Sequence, residues 1–292
     1  MIRAITLTVV LCSTLAAHAG TVSLTPAAAG CTRASLQSAV DGYLEALKKG
    51  TPSLMPLSSP ARYIENRKEV PFGQGIWHAP LAVDFNRSVL DVETCETFTE
   101  IIHASSDHPY VVGTHLKIAD GKISEVDNLV TEKKDWLFNA EDYLKYSSAE
   151  KWDILPPEMR TDRQTLINAA SSYFDMFQDY AAFPKVPWGT PCVRIEGGAY
   201  TNPKNEPNPS CTVGVPKGGG VPLTNRRYVV DVDMGTVVGL VDFGGEKGLP
   251  DSHMFRLENG KLRYVHTITV CPNGCPRIGP PPKSKDKPEI PQ

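Results

Sequence analysis

The chain has 292 residues, with 30 Lys and Arg against 33 Asp and Glu, so its formal net charge is −3. Basic residues cluster only in a Lys-rich C-terminal tail, which gives no electrostatic support for nucleic acid or an anionic membrane as a partner. The length suffices for two ordinary domains with separate hydrophobic cores.

Residues 1–19 predict a secretory signal peptide. A basic Arg3 precedes an apolar run over 5–15 and a small-residue site at Ala17-His-Ala19. The run is too short to span a membrane, and no later stretch has the ~18 uninterrupted apolar residues that a span needs. We therefore expect a secreted, extracellular protein, with residues 20–32 as a flexible leader.

The cysteine count predicts disulfide bonds. Cys12 of the seven would leave with the signal peptide, and an even number in a secreted chain favours pairing, although six cysteines allow 15 arrangements. The expected pairs are Cys31–Cys95, Cys192–Cys211 and Cys271–Cys275, the last closing a very small loop. No second CxxC-like pair stands at a ligand spacing, so we predict no zinc site.

Copy one of a repeated domain is predicted over 33–131. A helix over 33–49 has its apolar residues at i, i+3 and i+4 and ends at Lys48-Lys49-Gly50. The predicted strands are 61–66, 87–94, 97–104, 110–118 and 122–131. Asn86-Arg-Ser88, at the start of the second strand, is the one plausible N-glycosylation acceptor.

A segment over 132–162 links the copies. It contains five aromatic residues, which makes a floppy linker improbable, and we expect it to pack across the surface between the domains.

Copy two is predicted over 163–271. Its helix spans 163–179, and its strands are 192–197, 226–234, 236–243, 253–258 and 261–270. The Pro- and Gly-rich stretch 201–222 predicts a loop, and residues 272–292 predict a disordered tail.

The two copies match in order along the chain. The hairpin at Asn259-Gly260-Lys261 corresponds to Asp120-Gly121-Lys122, and three earlier anchors pair with offsets of 130, 131 and 140 residues. The single jump falls in the 201–222 loop. We interpret the chain as an internal duplication with an α+β layout, in which a helix covers a mostly antiparallel sheet.

The pairing of an amphipathic helix with a terminal Gly-Lys hairpin resembles the NTF2-like (SnoaL-like) cone fold. More closely, the chain resembles a family of secreted fungal proteins of unknown function, and the residues that carry the resemblance include Val186-Pro-Trp-Gly-Thr-Pro-Cys192, Arg194-Ile-Glu-Gly-Gly-Ala-Tyr200 and Leu262-Arg-Tyr-Val-His266. The resemblance implies a cavity between helix and sheet, with Asp, Glu, His and Tyr as acid–base groups. The same fold also serves as a binding or dimerisation module, so the copies could form an internal pseudo-dimer.

His266 and Glu196 are the candidate catalytic pair. Alternation in the last strand places His266 on one face with Tyr264, between apolar groups, which favours an inward imidazole. Glu196 precedes Gly197-Gly198, where the backbone could approach a ligand closely. The alternatives are a hydrogen-bonded core histidine and an edge-strand carboxylate paired with Arg194 or Arg227.

Further candidates come from the repeat and from the helix. Glu65 and Asp127 are the copy-one equivalents of Glu196 and His266, and Tyr173 lies on the apolar stripe of the second helix. We count Tyr173, Arg227, Tyr264, Glu65 and Asp127 as ligand-binding candidates and His253 as a further catalytic candidate. Arg87 with Asp91, and Arg227 with Asp231, predict cross-strand salt bridges rather than a metal site.

Motifs of several enzyme classes are missing from the sequence. It contains no G-x-S-x-G, H-E-x-x-H, P-loop or G-x-G-x-x-G. Two hypotheses remain: a secreted, cofactor-independent lyase, isomerase or cyclase acting on a small molecule, and a non-catalytic extracellular module that binds a ligand or partner.

Overall fold

The structure is a computed structural model that describes residues 31–275. The predicted signal peptide, most of the leader and most of the C-terminal tail lie outside the described residues. Within 31–275, no helix is both long and apolar enough to cross a membrane.

Copy one consists of a helix and a six-stranded sheet. Thr32 caps the helix in a reciprocal box with Ser35, and Gly50 ends it in the left-handed conformation (φ 60°). The sheet order is β2-β1-β6-β5-β4-β3, with β1 and β6 parallel and the other neighbours antiparallel. The elements are α1 (Arg33–Lys49), β1 (Leu57–Glu65), β2 (Lys68–Glu69), β3 (Phe85–Asp91), β4 (Glu96–His103), β5 (Tyr110–Ala119) and β6 (Lys122–Thr131).

The linker contains a helix that the sequence did not predict. α2 (Ala140–Ala149) begins at Asn139, whose side chain accepts a hydrogen bond from the Asp142 amide. It contacts β4 and β5 of copy one and β7 and β8 of copy two. The linker therefore contacts both copies through α2.

Copy two repeats the architecture of copy one. Its sheet order is β8-β7-β12-β11-β10-β9, again with one parallel pair, β7 with β12. The elements are α3 (Arg163–Gln178), β7 (Val193–Glu196), β8 (Ala199–Tyr200), β9 (Leu223–Asp231), β10 (Thr236–Phe243), β11 (Leu249–Glu258) and β12 (Lys261–Thr269). The chain is thus an α+β internal duplication.

Both faces of each sheet are buried. One face packs under the helix of its own copy and forms a separate core. The other face joins a third core, shared by the two sheets and the linker, that includes Phe98 of β4, Tyr143 of α2, Met254 of β11 and Ile268 of β12. The two sheets therefore pack against each other, away from their helices.

Reciprocal ion pairs join the copies. Arg163 of α3 binds Asp91 with both guanidinium Nη atoms (2.7 and 2.8 Å), and Arg33 of α1 binds Asp231 (2.6 Å). Asp91 also accepts the Val230 amide, as Asp231 accepts the Leu90 amide. The predicted cross-strand salt bridge is present for Arg87, which pairs with Glu100 of β4, but Asp91 and Asp231 pair with arginines of the other copy because their faces meet it.

The three predicted disulfides are present. Cys31–Cys95 lies in copy one, and Cys271–Cys275 follows β12. Cys192–Cys211 joins the residue before β7 to the loop over 201–222, called the insertion loop below.

Candidate functional site

A cavity of about 240 Å³ opens between α3 and the helix-facing side of the copy-two sheet. Its outer walls come from the linker and the insertion loop, and its floor comes from β7, β11 and β12. The lining residues are Trp136, Leu137, Tyr173, Phe177, Arg194, Glu196, Gly214, Val215, Pro216, Phe243, His253, Thr267 and Thr269.

The floor of this pocket is polar. Asp251 and His253 are two residues apart in β11, so their side chains lie on the same face of the strand. Their partners in β12 are Thr269 and Thr267. His253 Nδ1 lies 3.1 Å from Asp251 Oδ2, and Thr269 Oγ1 donates a hydrogen bond to Asp251 Oδ1 (3.0 Å). Neither His253 Nδ1 nor Thr267 Oγ1 has a hydrogen-bond partner with good geometry in residues 31–275.

Aromatic rings surround the imidazole of His253. The ring centroids of Phe174 and Tyr173 lie 5.3 and 5.5 Å away, and Phe255 stacks on it at 5.9 Å. Burial raises the pKa of Tyr173 to about 12, so its hydroxyl stays protonated at neutral pH and can donate. The site combines an apolar wall with a few convergent polar groups, which is typical of small-molecule pockets.

The mouth of the pocket is held by Arg194. Its Nη1 and Nη2 donate to the carbonyls of Cys211 (2.7 Å) and Val213 (2.8 Å), which fixes the insertion loop. Its Nε lies 3.2 Å from Glu196 Oε2, and Trp136 Nε1 donates to Glu196 Oε1 (3.0 Å). Glu196 is therefore neutralised by Arg194 and anchored to the linker.

Gly197 and Gly198 allow the linker to pass close to the β7–β8 edge of the copy-two sheet. Both have positive φ, and a Cβ on Gly197 would lie 2.0 Å from the Trp136 carbonyl oxygen. The sequence pointed to a close approach here, and the approaching group is the backbone of this same chain.

The equivalent space in copy one is filled. The register places Thr114 and Asn128 where copy two has His253 and Thr267. The Tyr43 hydroxyl accepts hydrogen bonds from Thr114 Oγ1 (3.1 Å) and Asn128 Nδ2 (3.0 Å), and Trp77 packs edge-on against the Tyr43 ring. Glu65 accepts hydrogen bonds from Tyr63 and from the Ile76 amide.

Residues 29–130 and 159–269 each match a domain of unknown function, DUF8021. The chain belongs to this family. It carries the DUF8021 domain twice, in agreement with the predicted duplication. No curated protein matches the chain.

His266 lies on the other face of the second DUF8021 domain, between the two sheets. Its Nδ1 contacts Glu100 Oε1 (2.9 Å) and its Nε2 contacts Glu150 Oε2 (2.7 Å). Glu196 instead pairs in register with Thr267 and faces the cavity. The prediction that His266 shares a pocket with Glu196 is wrong, whereas Glu196, His253 and Tyr173 do share one.

The buried charged groups around His266 shift one another's pKa values. Burial would lower the pKa of His266, but the carboxylates of Glu100 and Glu150 raise it to about 9. Burial would raise the pKa of Glu100, but His266 and Arg87 lower it to about 2. His266 and Glu100 are therefore both charged near neutral pH.

The remaining ligand-binding candidates contact each other or the linker. Arg227 of the second domain pairs with Asp127 of the first (3.0 Å), and Tyr264 stacks on Trp152 at 5.3 Å. Asn86 is exposed on β3, which leaves it accessible.

Sequence reasoning missed Asp251 and Thr267. Asp251 stands two residues before His253, and that spacing in a strand would have indicated a shared face. Within residues 31–275, no cluster of three or more His, Cys, Asp or Glu side chains could hold a metal ion.

Proposed function

We propose that each DUF8021 domain is an NTF2-like cone and that the second is a cofactor-independent acid–base enzyme, a lyase, isomerase or cyclase. Its substrate would be a small, largely apolar molecule that carries oxygen. The observation that carries the proposal is the contrast between the domains: Thr114 and Asn128 are hydrogen-bonded to Tyr43, whereas His253 and Thr267 line an open cavity, where Thr267 Oγ1 has no hydrogen-bond partner among residues 31–275.

Each polar group in the pocket has a role in this proposal. His253, beside Asp251, takes a proton from substrate carbon and later returns it to carbon or to a leaving oxygen. The neutral Tyr173 hydroxyl donates a hydrogen bond to the oxygen on which negative charge develops. Thr267 binds the substrate's polar group beside His253, and the aromatic walls exclude water.

The chain is also proposed to be secreted. The three disulfides support an oxidising compartment, in which such bonds persist. A fungal origin and glycosylation at Asn86 stay predictions. The proposed partner is a small molecule rather than nucleic acid or a membrane.

The test is a screen of the mature protein against enolisable ketones, hydroxy ketones and phenols, followed by NMR for conversion. With a converted compound in hand, His253→Gln should lower kcat by about 100-fold or more, because it removes the proton-transfer group at similar size. Thr114→Val, at the equivalent position in copy one, should leave kcat unchanged. Unchanged kcat in His253→Gln would refute the assignment.

A second candidate function is ligand binding without chemistry. It is favoured by Glu196, which is already neutralised by Arg194 and hydrogen-bonded by Trp136 and so is poorly placed to act as a base. Native mass spectrometry of protein purified from the organism that secretes it distinguishes the binding function from the enzyme. A compound released intact, and not converted on re-addition, supports binding; conversion supports the enzyme.

A further inference from the structure

A second pocket lies on the opposite side of the copy-two sheet edge, and the proposed reaction does not use it. Its volume is about 270 Å³, and it separates α2 from the first part of the insertion loop. It is lined by Tyr146 of α2, Glu150 directly after α2, Tyr200 of β8, Arg263 of β12 and Asn202 of the loop.

Glu150 presents this pocket with an unsatisfied acceptor. One carboxylate oxygen, Oε2, accepts from Trp152 Nε1 (2.8 Å) and contacts His266 Nε2 (2.7 Å). The other, Oε1, is buried and has no partner in the described part of the chain, and the side chain is only 4% exposed. A buried acceptor without a partner is destabilising, so a ligand hydroxyl that donates to it is stabilised.

Arg263 supplies a donor in the same pocket. Its Nη1 is buried without a hydrogen-bond partner among residues 31–275, and its guanidinium stacks 4.3 Å above the Tyr264 ring. A hydroxyl group both donates and accepts, so neighbouring hydroxyls on one ligand match an acceptor and a donor together.

The charges around this pocket favour a neutral ligand. The charge of Glu150 is balanced by His266, and that of Glu100 by Arg87 at 3.2 Å. Arg263 has a counterpart of opposite sign in Glu206, which also lines the pocket. A ligand with a net charge would disturb this balance, because the pocket offers it no uncompensated charge of opposite sign.

An aromatic wall completes the pocket. Tyr146 and Tyr200 stack with ring centroids 4.1 Å apart and an interplanar angle of 15°. Such rings offer an apolar face with a polar edge, which suits the C–H face of a sugar ring with hydroxyls at its rim.

We propose that this pocket binds a neutral polyhydroxylated ligand, a mono- or disaccharide, through Glu150, Arg263 and the tyrosine pair. This site is separate from the pocket that contains His253 and does not depend on the proposed reaction.

The proposal is tested by saturation-transfer NMR and calorimetry on the full mature chain. The probes are D-glucose, D-mannose, N-acetyl-D-glucosamine and cellobiose. We expect at least one to bind, and Tyr200→Ala and Arg263→Met each to weaken its Kd by about 10-fold, the equivalent of one lost contact. Two controls should bind as the parent does: Tyr110→Ala, a stacked, half-buried tyrosine of copy one, and His253→Ala in the other pocket.

Two results would overturn the proposal. One is no binding of any probe at about 20 mM, well above the range of weak sugar sites, with near-UV circular dichroism showing a folded protein. The other is an equal loss of binding in Tyr110→Ala or His253→Ala, because the effect would then not belong to this pocket.

Discussion

At the scale of single residues, equivalent positions of the two copies have taken opposite states. Tyr43 is hydrogen-bonded to Thr114 and Asn128 in a closed cluster, whereas Tyr173 lines an open cavity. The same framework thus supports a satisfied polar core in one copy and an unsatisfied polar floor in the other.

This difference predicts unequal costs for one substitution. Tyr43→Phe should lower the free energy of unfolding by about 1–3 kcal/mol, because Thr114 and Asn128 would be left buried without their partner. Tyr173→Phe should cost clearly less. Urea denaturation of both variants measures this, and equal losses would contradict the account.

The side of the sheet on which His266 lies could not be predicted from the sequence. Alternation correctly groups His266 with Tyr264 and Ile268 on one face, but it does not say which side of the sheet that face is on. In most two-layer folds the apolar face is the one under the helix. Here the sheets pack against each other, so the more apolar face of the strand, with Tyr264 and Ile268, lies between the sheets, and the face with Thr267 lies under the helix.

At the scale of elements, α1, α3 and the hairpins followed from periodicity and turn residues, and the three disulfides match the expected pairs. α2 was not predicted, because it buries only Ala140, Tyr143 and Ser147 and has no apolar stripe of its own. The position of α2 depends on its contacts with both copies and on Gly197 and Gly198, which leave room for the linker.

Gly197→Ala should therefore damage the candidate site through the linker. The new methyl group would meet the Trp136 carbonyl, and we expect a loss of roughly 3 kcal/mol in the free energy of unfolding together with displacement of Trp136 from Glu196. Gly121→Ala is the matched control, because Gly121 also has positive φ (72°) but faces open space, so only about 1 kcal/mol should be lost. Trp fluorescence and thermal unfolding report both effects.

The insertion loop gives a second prediction at this scale. Replacing Cys192 and Cys211 together with Ala should weaken a pocket ligand by about 10-fold or more, because the loop that supplies Val215 and Pro216 loses its covalent anchor. Replacing Cys31 and Cys95 removes a bond of copy one and should affect stability but not affinity. Calorimetry with any ligand found in the screen separates the two outcomes.

At the scale of the whole molecule, the buried charges between the copies predict a pH optimum of stability. The stabilisation from His266 is complete below its unfolded pKa of 6.5 and is lost as pH rises through about 9. That from Glu100 is complete above 4.5 and is lost as pH falls through about 2. We therefore expect the highest stability near pH 4.5–6.5.

Between pH 6.5 and 9 the free energy of unfolding should fall by roughly 2–3 kcal/mol. His266→Gln should be less stable at pH 6 but should show a flatter profile over this interval. Denaturation at a series of pH values provides the comparison, and parallel profiles for parent and variant would contradict the assignment.

The reciprocal pairs predict mutual dependence of the copies. Asp91→Ala should cost roughly 3–5 kcal/mol, because Asp91 is fully buried, binds Arg163 twice and accepts the Val230 amide. Asp231→Ala should have a similar effect, since Asp231 makes the equivalent contacts with Arg33 and Leu90. A single unfolding transition that shifts in both variants supports this, and two independent transitions would contradict it.

The two copies are joined covalently, so the interface between them should not dissociate on dilution. A homodimer with the same interface would dissociate at low concentration, whereas two halves of one chain stay at a fixed effective concentration. Ligand in the cavity should therefore bind at one equivalent per chain, with a hyperbolic rather than sigmoidal curve. Its affinity should be the same at nanomolar as at micromolar protein.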